Sequence, residues 1–226
     1  MYFDSLTLAA VADELRDSIL GGRIQRALLP SDLSVGLEIY ATGRRYHLLL
    51  SAHPQFTRAH LSSAKLSRGV ERDTPLLLLM RKYIVGGRIV AIEQPELERV
   101  LVLSIVKASQ ARNTPADDED APPEEEADDE PFFDEATAWH TELVVETQER
   151  RGNVILIDDD NIILESVRHV SPRQSRRPIR PHEAYELPPR QDKRDPRQAT
   201  PDGLRAMLET NTRELWRAMV NTYRGL

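Results

Sequence analysis

The chain has 226 residues, a formal net charge of −7 and no cysteine, and this length permits one large or two small domains with a buried core. The missing cysteine excludes disulfides, cysteine-ligated zinc and thiol nucleophiles. Because the first residues show no basic stretch followed by an apolar one, and no apolar run approaches the ~20 residues that span a membrane, we expect a soluble cytoplasmic protein with no membrane partner.

The first predicted element is a helix that begins near Ser5 or Thr7 and runs to Leu20, with apolar residues at helical spacing. A second helix has its body at 76–85, after Thr74 as the candidate N-cap and a proline at the first helical position. Each helix is followed by the tetrapeptide Gly-Gly-Arg-Ile, at 21–24 and at 86–89. Because a glycine pair readily ends a helix, this repeat predicts two pseudo-symmetric units of helix, stop and strand.

Alternation of apolar and polar residues predicts eight strands between and after these helices. Their ranges are 23–29, 34–40, 45–51, 88–93, 99–107, 142–147, 153–158 and 162–167. Turn-forming residues separate neighbouring strands at 41–43 and at 158–161. The pattern indicates an α+β fold: a β-rich two-sheet sandwich with two core helices in a pseudo-repeat, followed by a C-terminal helix.

One segment differs in charge from the rest of the chain. Residues 113–138 contain twelve of the 37 acidic residues and no Lys or Arg, so the remainder has 25 acids, 30 bases and a charge of +5. The segment is rich in Pro and poor in apolar side chains, so it cannot offset its ordering entropy. We expect an acidic disordered insertion in a hairpin between Lys107 and Glu142. The alternative is an acidic mimic of nucleic acid that screens a basic face.

The C-terminal part of the chain divides near residue 200. Proline and arginine dominate 168–200 without periodicity, which predicts an extended basic segment on the surface. An amphipathic pattern then predicts a helix from Asp202 to Asn221. We interpret 1–200 as one domain and 201–226 as the truncated start of a helical middle domain.

The sequence contains none of the common nucleotide-binding, hydrolase or metalloprotease motifs, and its six histidines show no paired spacing for metal ligands. Three consecutive aspartates at 158–160 are one candidate for a divalent cation, but between two strands a polar turn is more typical. We therefore expect no catalytic residue, metal, cofactor or small-molecule substrate, and a protein that is not an enzyme.

Basic residues, with histidines and other polar side chains beside them, cluster where the predicted strands begin or end. They are His53, Arg58 and His60 in one connection, Glu98 and Arg99 at the start of one strand, and Arg150, Arg151 and Asn153 at the start of another. Guanidinium groups suit phosphates, asparagine suits base or sugar edges, and rings stack on unpaired bases. Each cluster taken alone is more typical of solvated surface charge.

Taken in order along the chain, these residues resemble a known domain. The resemblance is carried by Phe-Asp at 3–4, the two Gly-Gly-Arg-Ile repeats, Ser-Ala-His-Pro at 51–54, Arg-Ala-His at 58–60, Asn-Val-Ile-Leu at 153–156 and His-Val-Ser-Pro at 169–172. From Phe3 to Asp195 the chain resembles the N-terminal NFACT domain of the fibronectin-binding protein A-like, RqcH and NEMF family. The resemblance implies a fold similar to the N-terminal domain of the formamidopyrimidine DNA glycosylases.

The resemblance also implies a role in ribosome-associated quality control. Proteins of this family bind large ribosomal subunits with an obstructed peptidyl-tRNA, and recruit tRNA, in bacteria alanyl-tRNA, for C-terminal tailing of the stalled chain. The N-terminal domain is their tRNA-reading part. The implied partners are therefore tRNA and, through the full-length protein, the large ribosomal subunit.

Two family motifs for tRNA recognition align with this chain. Glu98 and Arg99 match an Asp-Arg pair, with an acid that is one methylene longer. A second motif, Met-Gly-Arg-x-Ser-Asn, aligns with 148–153. Arg150 and Asn153 match it, whereas Glu149 replaces its glycine and Gly152 replaces its serine.

Two other functions are consistent with the same domain. A DNA glycosylase of the similar fold requires Pro-Glu after the initiator methionine, and this chain has Tyr-Phe, so base excision is disfavoured. The historical family name points to a fibronectin-binding adhesin, and a protein-interaction module is a further alternative.

Overall fold

The computed structural model describes residues 3–108, 138–210 and 214–225, which form an α+β fold. Its helices are α1 (Ser5–Ile19), α2 (Pro75–Tyr83), α3 (Pro201–Thr210) and α4 (Leu215–Thr222). Its strands are β1 (Arg23–Ser31), β2 (Ser34–Ala41), β3 (Arg44–Ser51), β4 (Arg58–Ser62), β5 (Arg88–Glu93), β6 (Val100–Ala108), β7 (Ala138–Glu146), β8 (Asn153–Asp158) and β9 (Ile163–Ser166). No helix in these ranges is long and apolar enough to cross a membrane.

The eight predicted strands are all present, and the structure adds β4. The sequence of β4 mixes arginine and histidine with small residues, so its alternation is weak. It forms a strand because its backbone pairs with β3, from His47 opposite Ser62 to Ser51 opposite Arg58. This pairing is a long-range contact that no local pattern indicates.

Two predictions concern the ends of the described ranges. The hairpin between β6 and β7 is confirmed, since the two strands pair up to Ala108 opposite Ala138. The acidic insertion predicted at 113–138 lies outside the described residues, apart from Ala138.

The single C-terminal helix is corrected to α3 and α4, because Glu214 has the non-helical backbone of an N-cap. Residues 211–213 lie outside the described part.

Both core helices begin at residues that cap them. The Asp4 carboxylate accepts a hydrogen bond from the Thr7 amide at 2.7 Å, and the Thr74 hydroxyl accepts one from the Leu77 amide at 3.2 Å. These bonds satisfy amides that have no partner within the first helical turn. The fully buried apolar residues of α1 are Leu8, Ala12, Leu15 and Ile19.

The nine strands form one hydrogen-bonded antiparallel sheet in the order β4-β3-β2-β1-β5-β6-β7-β8-β9. The predicted two-sheet sandwich is not confirmed, because β1 pairs with β5 and joins the two halves into one continuous sheet. The halves nevertheless enclose a common core. The main apolar cluster takes side chains from β1–β3, from β5–β8 and from both core helices.

The two Gly-Gly-Arg-Ile repeats pair with each other where the halves join, a contact that we term the seam. Its N–H···O bonds, 2.7–3.0 Å long, run from Gly21 to Ile89, Gly86 to Ile24, Ile89 to Gly22 and Ile24 to Gly87. If the donor and the acceptor of one bond are each exchanged for the residue at the same position in the other repeat, another bond of the set results. The seam therefore has the local twofold pseudo-symmetry that the repeat predicted.

The basic segment 168–200 covers a smaller apolar cluster on the opposite face of β6–β8. Buried Glu146 anchors this segment: it accepts hydrogen bonds from Arg177 at 2.7 Å and from the Tyr185 hydroxyl at 3.0 Å. Burial and the Glu146 carboxylate raise the pKa of Tyr185 far above its usual range. The segment is irregular, as expected, but it is fixed to the sheet rather than only running over the surface.

Replacing Gly22 by alanine tests the seam. A Cβ atom at Gly22 would lie 2.8 Å from the Ile19 carbonyl oxygen, so the backbone would have to shift. We expect Gly22→Ala to lower the free energy of unfolding in urea by about 1–3 kcal/mol.

Gly203→Ala in α3 is the matched control. Its Cβ would contact only the Thr200 hydroxyl, at 3.1 Å, and alanine favours a helix, so a neutral or stabilising effect is expected. Equal effects of the two substitutions would contradict tight packing at the seam.

Candidate nucleic-acid interface

Arg99 lies at the start of β6, beside the end of β7. Its carbonyl oxygen accepts a hydrogen bond from the Thr147 amide at 2.8 Å and another from the Thr147 hydroxyl at 3.2 Å. Thr147 itself is fully buried. Two bonds to one buried residue fix the backbone from which the half-buried Arg99 side chain projects.

The connection from β7 to β8 carries two further arginines. Residues Glu149–Arg151 form a 3₁₀ turn in which Arg150 and Arg151 are exposed. The Arg168 guanidinium group donates to the carbonyl oxygens of Arg150 at 2.8 Å and of Gly152 at 3.2 Å. These bonds brace the turn, so the two exposed arginines project from a backbone that is held in place.

Arg99, Arg150 and Arg151 line one open cavity of about 720 Å³, which we term the arginine cavity. Trp216 and Met219 of α4 form another part of its wall. The remaining lining residues are Asp4, Gln148, Glu149, Gln191 and Val220. Within the described ranges, none of the three guanidinium groups has a carboxylate within 4.0 Å. The cavity thus combines three guanidinium groups that form no ion pair among the described residues with an indole ring and with two acidic residues, Asp4 and Glu149.

The connection between β3 and β4 is tied to the same buried threonine. The Thr57 hydroxyl donates to the Thr147 carbonyl oxygen at 3.2 Å. Next to it, the rings of His53 and Phe56 stack with centroids 5.3 Å apart, and Phe56 is 59% exposed. Arg58 follows as the exposed first residue of β4. The structure therefore brings two of the clusters found in the sequence, the one at 53–60 and the one at 98–99, to one region.

Asn153 and His60 are less accessible than the sequence suggested. The buried Asn153 amide group donates to the Arg168 carbonyl oxygen at 2.8 Å and accepts from the Arg168 amide at 3.0 Å. Its polar atoms therefore hold Arg168 in place. His60 lies within β4, where burial and the positive charge of Arg58 lower its pKa. Its imidazole is thereby biased toward the neutral form.

Glu98 is only 8% exposed, so it does not lie open beside Arg99. Burial raises the pKa of its carboxyl group, against the opposing positive charges of Arg190, Arg224 and Arg99. The Gln94 side chain donates to the Glu98 carbonyl oxygen at 2.8 Å and fixes the chain just before β6. Glu98 is thus placed to position Arg99.

Sequence reasoning missed Trp216, which is 54% exposed in α4. The amphipathic pattern placed this residue on a helix of a separate domain, and no local signal brings that helix to Arg99. The position of α4 at this cavity depends on Ser5, whose amide and hydroxyl both donate to the Gly225 carbonyl oxygen, at 3.0 and 2.8 Å. These bonds hold the end of the described chain against the start of α1.

The three consecutive aspartates form a turn. The Asp158 carboxylate accepts hydrogen bonds from the amides of Asp160, at 3.1 Å, and Ile162, at 2.8 Å. Across the ranges that the structure describes, no group of three or more His, Asp or Glu residues could hold a metal ion.

Comparison with known families identifies the domain. A family model described as NFACT N-terminal and middle domains matches residues 4–226. The chain belongs to this NFACT family. Its match to the Rqc2 homolog RqcH of Bacillus subtilis (strain 168) is 32% identical over 228 residues and covers 100% of this chain and 36% of that protein.

The Rqc2 homolog RqcH of Streptococcus pneumoniae (serotype 2, strain D39) is 28% identical over 212 residues, which cover 93% of this NFACT chain and 34% of that protein. The chain thus spans about a third of the length of the curated relatives it matches.

Solved structures of similar fold cover the whole NFACT chain. The N-terminal part of the fibronectin/fibrinogen-binding protein of Streptococcus suis aligns with a TM-score of 0.77 at 26% identity, covering 75% of that chain. The N-terminal domain of the fibronectin-binding protein PavA of Streptococcus pneumoniae aligns with the same score at 25% identity and the same coverage. These likenesses agree with the family assignment.

Glu149 occupies the position of a glycine in the family motif, and its φ of +23° lies in the left-handed region. We expect Glu149→Gly to be more stable than Glu149→Ala by about 1 kcal/mol, because glycine adopts this backbone without a Cβ clash. Urea unfolding measures the difference. Both variants lose the same carboxylate, so the comparison isolates the backbone; equal stabilities would show that the turn is unstrained.

The buried Glu98 carboxyl group makes stability depend on pH. Its raised folded-state pKa means that the folded chain binds the proton of the Glu98 carboxyl group more tightly than the unfolded chain does. The free energy of unfolding of the wild type therefore falls as the pH rises through that pKa. Glutamine cannot ionise. We expect the free energy of unfolding of Glu98→Gln, relative to the wild type, to increase between about pH 4 and 7.

Glu96→Gln is the control for that measurement. Hydrogen bonding to Arg197 lowers the pKa of Glu96, so its ionised form stabilises the fold and the trend should have the opposite sign. A pH-independent difference for Glu98→Gln would contradict the burial of a titrating carboxyl group.

Proposed function

We propose that this NFACT chain is the tRNA-binding part of a ribosome-associated quality-control factor. The observation that carries the proposal is the arginine cavity, in which three guanidinium groups without carboxylate partners among the described residues adjoin an exposed indole ring. Guanidinium groups bind phosphates through paired donors, and unpaired bases stack on aromatic rings. Family membership and the likeness to Rqc2 homologues favour tRNA as the RNA.

The residues around the cavity have different roles in this proposal. Exposed Arg150 and Arg151, together with half-buried Arg99, contact phosphates in this scheme, because none of the three forms an ion pair among the described residues. His53 and Arg58, on the neighbouring connection, extend the surface. The two buried polar residues, Glu98 and Asn153, position the backbones of the arginines, and the neutral His60 supports β4.

The full-length protein supplies further steps in this scheme. We propose that it binds large ribosomal subunits with an obstructed peptidyl-tRNA, through rRNA contacts, and recruits alanyl-tRNA for C-terminal tailing of the stalled chain in the cytoplasm. In this scheme the present domain reads tRNA, and we expect it to do so without a catalytic residue or a cofactor.

We also propose a domain boundary near residue 200. With this boundary, the ion pair of Asp195 with Arg224, at 3.1 Å, connects the domain 1–200 to the segment 201–226. The small cluster of Met207, Ala218 and Tyr223 is separate from the main core and supports this division. The likeness to the formamidopyrimidine DNA glycosylase fold stays a prediction.

Adhesion is the second candidate function. The observation that favours it is that solved structures similar to this chain come from proteins described as binding fibronectin or fibrinogen. Uncompensated arginines favour a polyanion over such a protein partner, because phosphate binding gains from counterion release.

Filter binding of the chain to tRNA across a salt series tests the proposal. We expect Arg99→Ala to weaken binding roughly 5- to 20-fold and to reduce the salt slope by about one, because one phosphate contact is lost. Its urea stability should stay within about 0.5 kcal/mol of the wild type.

Arg205→Ala is the matched control, since Arg205 is exposed on α3 and does not line the cavity. It should leave tRNA binding nearly unchanged. Equal losses in the two variants, or no tRNA binding by the wild type, would contradict the tRNA assignment. Salt-resistant binding to immobilised fibronectin would favour adhesion instead.

A further inference from the structure

Two arginines face each other across the pseudo-symmetry axis of the seam. Arg23 of the first repeat pairs in register with Arg88 of the second, and both side chains are exposed. Residues that are directly opposite in an antiparallel pair point to the same face of the sheet. Like charges in such a pair destabilise the fold, so folding alone gives no reason for this arrangement.

Neither guanidinium group is neutralised by a carboxylate of the described residues. Across the described ranges, no carboxylate lies within 4.0 Å of Arg23 or Arg88. Arg88 donates one hydrogen bond, to the Gly21 carbonyl oxygen at 3.2 Å. Most of the donors of the two groups are therefore available to a ligand.

The register extends this pair into a row across the sheet, which we term the seam row. Its members, each directly opposite the next, are Arg45, Tyr40, Arg23, Arg88, Val106 and His140. At the strand spacing of about 4.8 Å the row is about 24 Å long. Its three arginines and its histidine are all exposed.

Acidic residues do not cancel this charge. Glu38, in the adjacent row of the same face, contacts Arg45 at 3.6 Å, and Arg45 remains 66% exposed. Glu142 lies two residues along β7 from His140 and accepts a hydrogen bond from Ser104 at 3.4 Å. The centre of the row, at the two opposed arginines, keeps its double positive charge.

The seam row is distinct from the arginine cavity. Val106 lies six residues along β6 from Val100, which follows Arg99, and this separation corresponds to about 20 Å of extended strand. None of the row residues lines the arginine cavity. A single RNA that contacts both would therefore have to extend over several nucleotides.

We propose that the seam row is a second RNA-binding surface, which takes the sugar-phosphate backbone with one phosphate between Arg23 and Arg88. Two guanidinium groups on neighbouring strands can donate to the same phosphate, whose charge removes their mutual repulsion. The row offers few groups that could read bases, so its binding is independent of sequence. The choice of RNA among polyanions rests on the proposed function.

Binding of a labelled RNA duplex of about 16 base pairs, which spans two minor grooves, tests the seam row separately from tRNA binding. We expect the double variant Arg23→Ala/Arg88→Ala to weaken duplex binding at least about 5-fold and to reduce the salt slope by about two. Thermal unfolding of this variant should occur at the same or a higher temperature, because a like-charge pair is removed.

The variant Arg72→Ala/Arg205→Ala is the charge-matched control, since it removes two exposed arginines outside the row. If both double variants bind the duplex equally, the effect is one of net charge and the proposal is wrong.

Arg99→Ala separates this proposal from the proposed function. It should weaken tRNA binding and leave duplex binding nearly unchanged. If Arg99→Ala leaves tRNA binding intact while Arg23→Ala/Arg88→Ala still weakens duplex binding relative to its control, the seam row stands and the tRNA assignment of the cavity fails.

Discussion

Four backbone hydrogen bonds between two identical tetrapeptides hold the halves of this sheet together. The contact is short, because β1 and β5 share one registered pair, and it is close, because neither Gly22 nor Gly87 has room for a methyl group. On either side of it the chain has built a similar unit of helix and strands. Helix α1 packs across the junction, against β2 and β4 of one half and β5 and β6 of the other.

The grouping of the basic clusters around Thr147 depends on this joining of the halves. The connection after β3 belongs to the first half, whereas Arg99 and the turn after β7 belong to the second. They meet at Thr147, whose amide and hydroxyl donate to the Arg99 carbonyl oxygen and whose own carbonyl oxygen accepts from Thr57. One buried polar residue therefore positions groups that are far apart in sequence.

The arginines of this chain divide into two groups by their partners. Some are structural: Arg177 neutralises buried Glu146, and Arg168 braces the backbone of the β7–β8 turn. Others, such as Arg99 in the cavity and Arg23 at the seam, have no carboxylate partner in the described part of the chain. A net charge of −7 conceals this division, because twelve acids are concentrated in 113–138.

Local signals in the sequence determined much of the fold. Apolar periodicity located α1, periodicity together with the Thr74 cap located α2, and alternation located eight strands, because each of these signals depends on neighbours within a few residues. The repeat indicated the pseudo-symmetry. Only the tertiary structure decided that β4 is a strand, that Glu98 is buried, and that Trp216 lines the same cavity as Arg99. Burial and pairing of those residues depend on contacts with distant parts of the chain, and neither charge nor periodicity along the sequence reports such contacts.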